Sequence, residues 1–221
     1  MLVVIGIGVD ADAVLLQSHQ FEGTWAGSGL STFAFQPVGA AALVVDPLGQ
    51  RGNVADFTDA NAGVWGDNDP VFKDIIPGST GQSVFGQKMT LAAWVRSTST
   101  NTGIRRLLGK GVLWNLDIKN GKLELVVRSA SSSKLSIVTD GVKSINDGLW
   151  HHIATVTDFS TGESSLYIDG QLDFTAIRTG SMLCDNDRFP TYYYGVGTKV
   201  GASSTSAGSG GFMGYMDDIR V

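Results

Sequence analysis

From Asp147 to Leu172 the chain reads DGLWHHIATVTDFSTGESSLYIDGQL, and residue character alternates at every second position. Leu149, His151, Ile153, Thr155 and Thr157 fall on one side, with Trp150, His152, Ala154 and Val156 on the other. Successive side chains of an extended strand point to opposite faces. A run rich in β-branched and aromatic residues with this period is therefore a strand packed on both faces, not a helix. Ser164 to Ile168 repeats the pattern, and Asp169-Gly170 supplies the backbone freedom a tight hairpin turn needs. Strands of this kind must pair and then bury a face, which points to sheet packed on sheet.

The same grammar governs much of the chain. Met89 to Ser97 alternates Leu91, Ala93 and Val95 against Ala92, Trp94 and Arg96. Trp114 to Arg128 reads as a hairpin around Asn120-Gly121, the strongest short hairpin signal present. Thr32 to Phe35, Ala40 to Val45 and Lys134 to Thr139 read as further strands, with Asp46-Pro47-Leu48-Gly49 as a turn and residues 58–88 as a loop-rich insert. No heptad, internal repeat or long amphipathic helix competes with this reading. With 221 residues, 29 of them Gly and only 17% charged, the composition suits one large domain of short strands and many loops. Residues 1–28 are set apart as an N-terminal arm or edge strand, because Leu2 to Ile7 and Ala13 to Leu16 are apolar and Gly23, Gly27 and Gly29 follow. Residues 29–221 form the sandwich.

The totals also exclude functions. A net charge of −5 with no Lys/Arg run gives nothing to track a phosphate backbone, so no nucleic-acid partner is expected. No stretch approaches the roughly 20 apolar residues of a membrane-spanning helix. The lone cysteine, Cys184, has no partner for an internal disulfide and reads as a small apolar residue. No basic residue precedes the apolar run at the N-terminus, and Asp10 and Asp12 interrupt it, so no export signal is expected there.

Several segments resemble one family. WHHIA with LYIDG, MTLAAWV, LLGKG and the closing GYMDDIRV are similar to the core strands of laminin-G-like, concanavalin A-like domains of the pentraxin and LamG superfamily. RGNVADF at 51–57 is a partial match to the strand that opens many of them. The resemblance is specific over about the last 130 residues, and its strand pattern extends over roughly 30–221. It implies an antiparallel two-sheet jelly-roll sandwich, a scaffold shared by lectins, hydrolases, adhesion modules and virion proteins.

Relatives of this fold that cleave polysaccharides carry two or more glutamates on one strand, and glycoside hydrolysis generally needs two carboxyls within roughly 5 to 10 Å. This chain has Glu22, Glu124 and Glu163 only, far apart in sequence, so no enzyme is expected. His151 and His152 are adjacent on a strand and face opposite ways, which prevents them from chelating one ion, and His19 joins no visible catalytic constellation. Calcium at the sandwich rim is the metal the resemblance implies. The oxygen donors are Asp67, Asp69, Asp185, Asp187 and Asp217, short acidic side chains set mostly in loops with Asn and Gly. For glycans the usual device is an aromatic platform, and Tyr192, Tyr193 and Tyr194 with Trp65 are the candidates.

The expectation drawn from these features is a non-catalytic virion structural or assembly module, such as a phage decoration, fibre or tail component. Its partners would be other virion subunits or further copies of itself, its location the virion, and surface glycans a second target. The alternative is a secreted or cell-surface carbohydrate-binding module.

Overall fold

The structure, a computed structural model, describes residues 18–29, 34–59, 62–66, 88–97, 103–110, 114–128, 135–158, 161–177, 194–196 and 211–221. Among them are fifteen strands and no helix. One sheet runs, edge to edge, through β13 (Gln171–Ile177), β12 (Glu163–Ile168), β11 (His151–Asp158), β6 (Lys88–Ser97), β15 (Gly214–Arg220), β4 (Asn53–Asp56) and β3 (Ala42–Val45); short β1 (Ser18–His19) pairs with β15 beside β4. The other runs through β10 (Leu135–Ser144), β9 (Lys122–Arg128), β8 (Trp114–Lys119), β7 (Ile104–Lys110), β14 (Tyr194–Val196), β5 (Gly63–Gly66) and β2 (Gln36–Val38). All strand pairs are antiparallel, and one buried cluster draws on both sheets, as an all-β sandwich requires.

The alternation read from sequence is the alternation observed. On β6, Met89, Leu91, Ala93 and Val95 are buried, and they meet Ile153 of β11, Leu166 and Ile168 of β12 and Met216 of β15 in the core. Leu116 and Ile118 of β8 face this cluster with Leu123, Leu125 and Val127 of β9. Burying a side chain of this size contributes roughly 1.5–3 kcal/mol, so these two faces carry most of the stability. Asn120 (φ 51°) and Gly121 (φ 81°) make one hairpin turn, and Asp169 (φ 53°) and Gly170 (φ 78°) another; both have the two positive φ angles that match strand twist.

Some boundaries moved. Leu149 lies outside β11 and is 56% exposed, because the Asp147 carboxylate accepts its N–H and holds a turn there. The segment at 58–88 holds strand β5, where Val64 is buried, in a stretch whose Gly and Asp residues mimic loop composition. The strand read at 134–139 is Leu135–Ser144, with Lys134 outside the described residues. Residues 1–17 lie outside the described residues. Residues 18–28 pack on the sandwich: Ser18 pairs with Arg220, and Phe21 and His19 are buried.

The two neighbouring histidines do face opposite ways. His152 sets its ring against Trp94 on the outer side, with 5.2 Å between centroids. His151 is buried between two carboxylates, with Nδ1 2.9 Å from Asp169 Oδ2 and Nε2 3.1 Å from Asp147 Oδ1. Asp169 also accepts Lys143 Nζ and the His152 N–H. Partial desolvation opposes ionisation of both aspartates. The hydrogen bonds they accept nevertheless hold their pKa values below the ordinary carboxylate value.

His19 is different in kind. It is 1% exposed and stacks on Phe35 (4.0 Å) and Phe21 (6.1 Å). Burial, only partly offset by hydrogen bonds with the backbone of Trp25 and Ala26, lowers its pKa from 6.5 to about 4. Between those values the unfolded chain binds a proton that the folded one refuses. The stability contributed by neutral His19 is therefore complete above about pH 6.5 and is lost as pH falls toward 4. Urea titrations across that range should show His19→Phe losing less stability on acidification than the parent, by on the order of 3 kcal/mol. Parallel losses in the two proteins would refute this origin.

Candidate functional site

The outer face of the sheet that holds β8 and β9 is polar, as a solvent-facing side should be. It is exposed at Lys122 and partly exposed at Lys119, but buried at Asn115, Asp117 and Glu124. The Asn120-Gly121 turn sets Lys119 opposite Lys122, Ile118 opposite Leu123 and Asp117 opposite Glu124. Because Ile118 and Leu123 point into the core, Asp117, Lys119, Lys122 and Glu124 share the outer face with Asn115 and Val126. Asp117 is 2% exposed and Glu124 4%, and Asn115 is buried as well. Arg106 arrives from β7, where it pairs with Asp117. Its Nε donates to Asp117 Oδ1 and its Nη1 to Asn115 Oδ1, while Nη2 stands 3.5 Å from Asp117 Oδ2. Lys119 Nζ donates to Glu124 Oε2 at 2.5 Å.

Glycine makes room for this network. A Cβ on Gly109 would lie 2.6 Å from Asn115 Oδ1 and 3.0 Å from Arg106 Nη1, so only a bare backbone lets those side chains cross β7. One register row runs Gln36, Trp65, Gly195, Gly109, Asn115, Val126, so two glycines separate Trp65 from Asn115. Buried ion pairs roughly break even against apolar side chains of similar size. Stability alone therefore does not account for four charged groups and an amide here. What the face gains is a set of fixed, directional donors and acceptors, the equipment needed to recognise a polar ligand.

The outer side of the other sheet is built to close on itself. The Asp46 carboxylate accepts the N–H groups of Leu48, Gln50 and Arg51 and the Trp150 indole N–H. Burial works against its ionisation, but these four donors together lower its pKa. The turn so fixed lays the Arg51 guanidinium over Trp94 (4.4 Å) and against Trp150 (5.6 Å), where its Nε meets Asp217 Oδ2 at 2.5 Å. This is a latch holding the turn at 46–52 onto β6 and β15.

The residues expected from sequence are distributed unevenly. Trp65 lies in β5 and Tyr194 begins β14, and the two strands pair, with Trp65 opposite Gly195. Tyr192 and Tyr193 lie outside the described residues, as do Asp67, Asp69, Asp185 and Asp187. Asp217 is on the opposite sheet, and the cation at its carboxylate is Arg51; its Oδ1 accepts the Asp218 N–H. Burial raises its pKa, against the pull of Arg51. Among the described residues no group of three or more His, Cys, Asp or Glu is placed to hold a metal ion. In sequence Glu124 stands between Leu123 and Leu125, far from the other glutamates, and looks isolated. It is not, because Asp117 stands directly across the hairpin, and counting outward from Asn120-Gly121 finds that pair.

Residues 77–221 match the family model described as the concanavalin A-like lectin/glucanases superfamily. Domain 4 of AbnA, an extracellular GH43 arabinanase from Geobacillus stearothermophilus solved in complex with arabinotriose, superposes with a TM-score of 0.62. It shares 18% identity, over 95% of this chain and 92% of that one. The LG4-5 domains of the mouse laminin alpha1 chain give 0.51 at 11% identity, over 75% of this chain and 40% of that one. The CBM40 of Ruminococcus gnavus IT-sialidase gives 0.50 at 15%, over 71% and 85%. At such identities the likeness is one of fold. No curated protein matches the chain significantly.

Gly109→Ala tests the network directly. Its Cβ must displace Asn115 or Arg106, leaving a buried polar atom unpaired at a cost of about 1–3 kcal/mol. Adding Asn115→Ala should remove the clash, so the double variant should be more stable than the sum of the single losses implies. Strict additivity in denaturant titrations would show that the two sites do not touch.

Proposed function

The chain belongs to the concanavalin A-like lectin/glucanase superfamily, and on that footing we propose that it is a non-catalytic carbohydrate-binding module whose glycan-facing surface is the outer face of the β10–β2 sheet. The observation that carries this reading is the Arg106–Asn115–Asp117 network with Lys119 and Glu124 beside it. Sugars present adjacent hydroxyls that both donate and accept. Carboxylate, amide and guanidinium groups held on one sheet face match them. Trp65 occupies the same register row as Asn115. Two of the neighbours named above, one solved with arabinotriose and one a carbohydrate-binding module, are in keeping with this use of the fold.

The reading reverses the order of the sequence expectations. Glycan binding, the alternative expected from sequence, is the main reading here, and an extracellular place of action goes with it. The virion role gains no support from the named relatives. Catalysis is the second reading, because Asp117 and Glu124 face each other as a hydrolase pair would. Against it, each has its own cation, whereas glycoside hydrolysis needs one carboxyl protonated as general acid.

A glycan array followed by calorimetry separates these outcomes. The parent protein should bind one oligosaccharide class, with arabino-oligosaccharides in the panel. Asn115→Ala and Glu124→Gln should each weaken binding about tenfold or more, and Trp65→Ala should also weaken it, with melting temperatures showing the variants folded. A protein that binds nothing on the array defeats the proposal. Release of reducing ends by the parent but not by Glu124→Gln would replace it with hydrolysis.

A further inference from the structure

An open sheet has two edges, and a bare edge strand recruits other chains unless something blocks it. Three of the four edges here carry a block. On β13 the pairing with β12 shifts register between Leu166 and Tyr167, and Asp173 accepts the N–H groups of Val142 and Lys143 from β10, each at 2.8 Å. The β10 edge itself breaks register between Leu135 and Ile137 and again between Asp140 and Ser144, and it carries Lys143. The β2 edge is three residues long with Pro37 at its centre.

Among the described residues the β3 edge has none of these. Ala42–Val45 pairs with β4 in unbroken register, and residues 40–45 read Ala-Ala-Ala-Leu-Val-Val, without a charge, a proline or a bulge. Val45 is 73% exposed and Leu48, just beyond, 42%. The direction of its backbone groups follows from two hydrogen bonds. The Asp46 N–H donates to Gly52 O and the Phe57 N–H donates to Gly214 O. By alternation, Ala42 and Val44 turn their N–H and C=O toward β4, and Leu43 and Val45 turn theirs outward.

We propose that β3 is a self-association edge, on which β3 of a second copy pairs antiparallel across a two-fold axis at Val44 to join the two sheets into one. In that register Leu43 of each copy stands opposite Val45 of the other, and each such pair exchanges two hydrogen bonds. The uncharged run at 40–45 offers no like-charge repulsion between copies, which selects a second copy of this chain over a charged partner. A four-residue edge buries far less than the roughly 1,600 Å² of a standard stable interface, so the association is weak and concentration-dependent. The outward edge lies on the other sheet from the glycan-facing surface, and the proposal stands or falls independently of it.

Sedimentation velocity of the full chain over a concentration series provides the test. The sedimentation coefficient of the parent should rise with concentration toward that of two chains. Val45→Lys places a charge on the edge, and Val45→Pro removes an outward N–H without touching the β3–β4 ladder. Both should remain monomeric at every concentration with the melting temperature of the parent. A parent that is monomeric throughout, or a Val45→Lys protein that still associates, would overturn the proposal. So would association that survives both substitutions and disappears only on removing residues 1–16, which would assign it to the N-terminal arm.

Discussion

The imidazole of His151, held between Asp147 and Asp169, is the tie on which the arrangement of this sandwich depends. Asp147 belongs to the turn that starts β11, and Asp169 to the hairpin that joins β12 to β13. Lys143 brings β10 of the opposite sheet to the same carboxylate. One ring thus fixes the ends of three neighbouring strands and the closed side of the sandwich. Both carboxylates are held below their ordinary pKa by the bonds they accept, so the clasp weakens as acid protonates them. The adjacent His152 joins it only through its backbone N–H, which donates to Asp169, while its ring packs against Trp94 on the far face.

Buried charge is used in two opposite ways in this protein. On the β6–β15 sheet the Asp46 carboxylate and the Arg51–Asp217 ion pair hold a turn, with two indole rings beside the guanidinium. On the β8–β9 face the groups of Arg106, Asn115 and Asp117 are also satisfied, but by one another across neighbouring strands. No loop is latched by those bonds. Those bonds fix the side chains of the network relative to one another, which is the rigidity the proposed recognition surface requires.

Periodicity made the strands legible, because period two survives wherever both faces of a strand are packed. Met89–Ser97 and the Asn120-Gly121 hairpin appear in the structure much as they read. Reading failed where local composition and tertiary context disagree. Gly63–Gly66 has loop-like letters yet lies between β14 and β2, and Leu149 has a strand-like letter yet is held in a turn by its neighbour's carboxylate. The candidate site was harder still. Arg106, Asn115 and Asp117 form no motif in the one-dimensional string, since two of the pairings that unite them cross between strands.

Register is the missing dimension, and part of it was recoverable. A two-residue turn fixes the pairing of both its flanks, so Asn120-Gly121 alone puts Asp117 opposite Glu124. Only three residues separate β7 from β8, but nothing local extends the row on to β14 and β5, because those contacts close over long stretches of chain. The row Trp65–Gly195–Gly109–Asn115 is therefore a property of the folded sheet only. Of the signature strands, β6, β11, β12 and β15 lie in the sheet opposite the proposed recognition face, while the LLGKG segment lies in β7 of that face's own sheet. The four opposite strands can stay constant as scaffold while outward-facing positions of the β10–β2 sheet vary without touching the core.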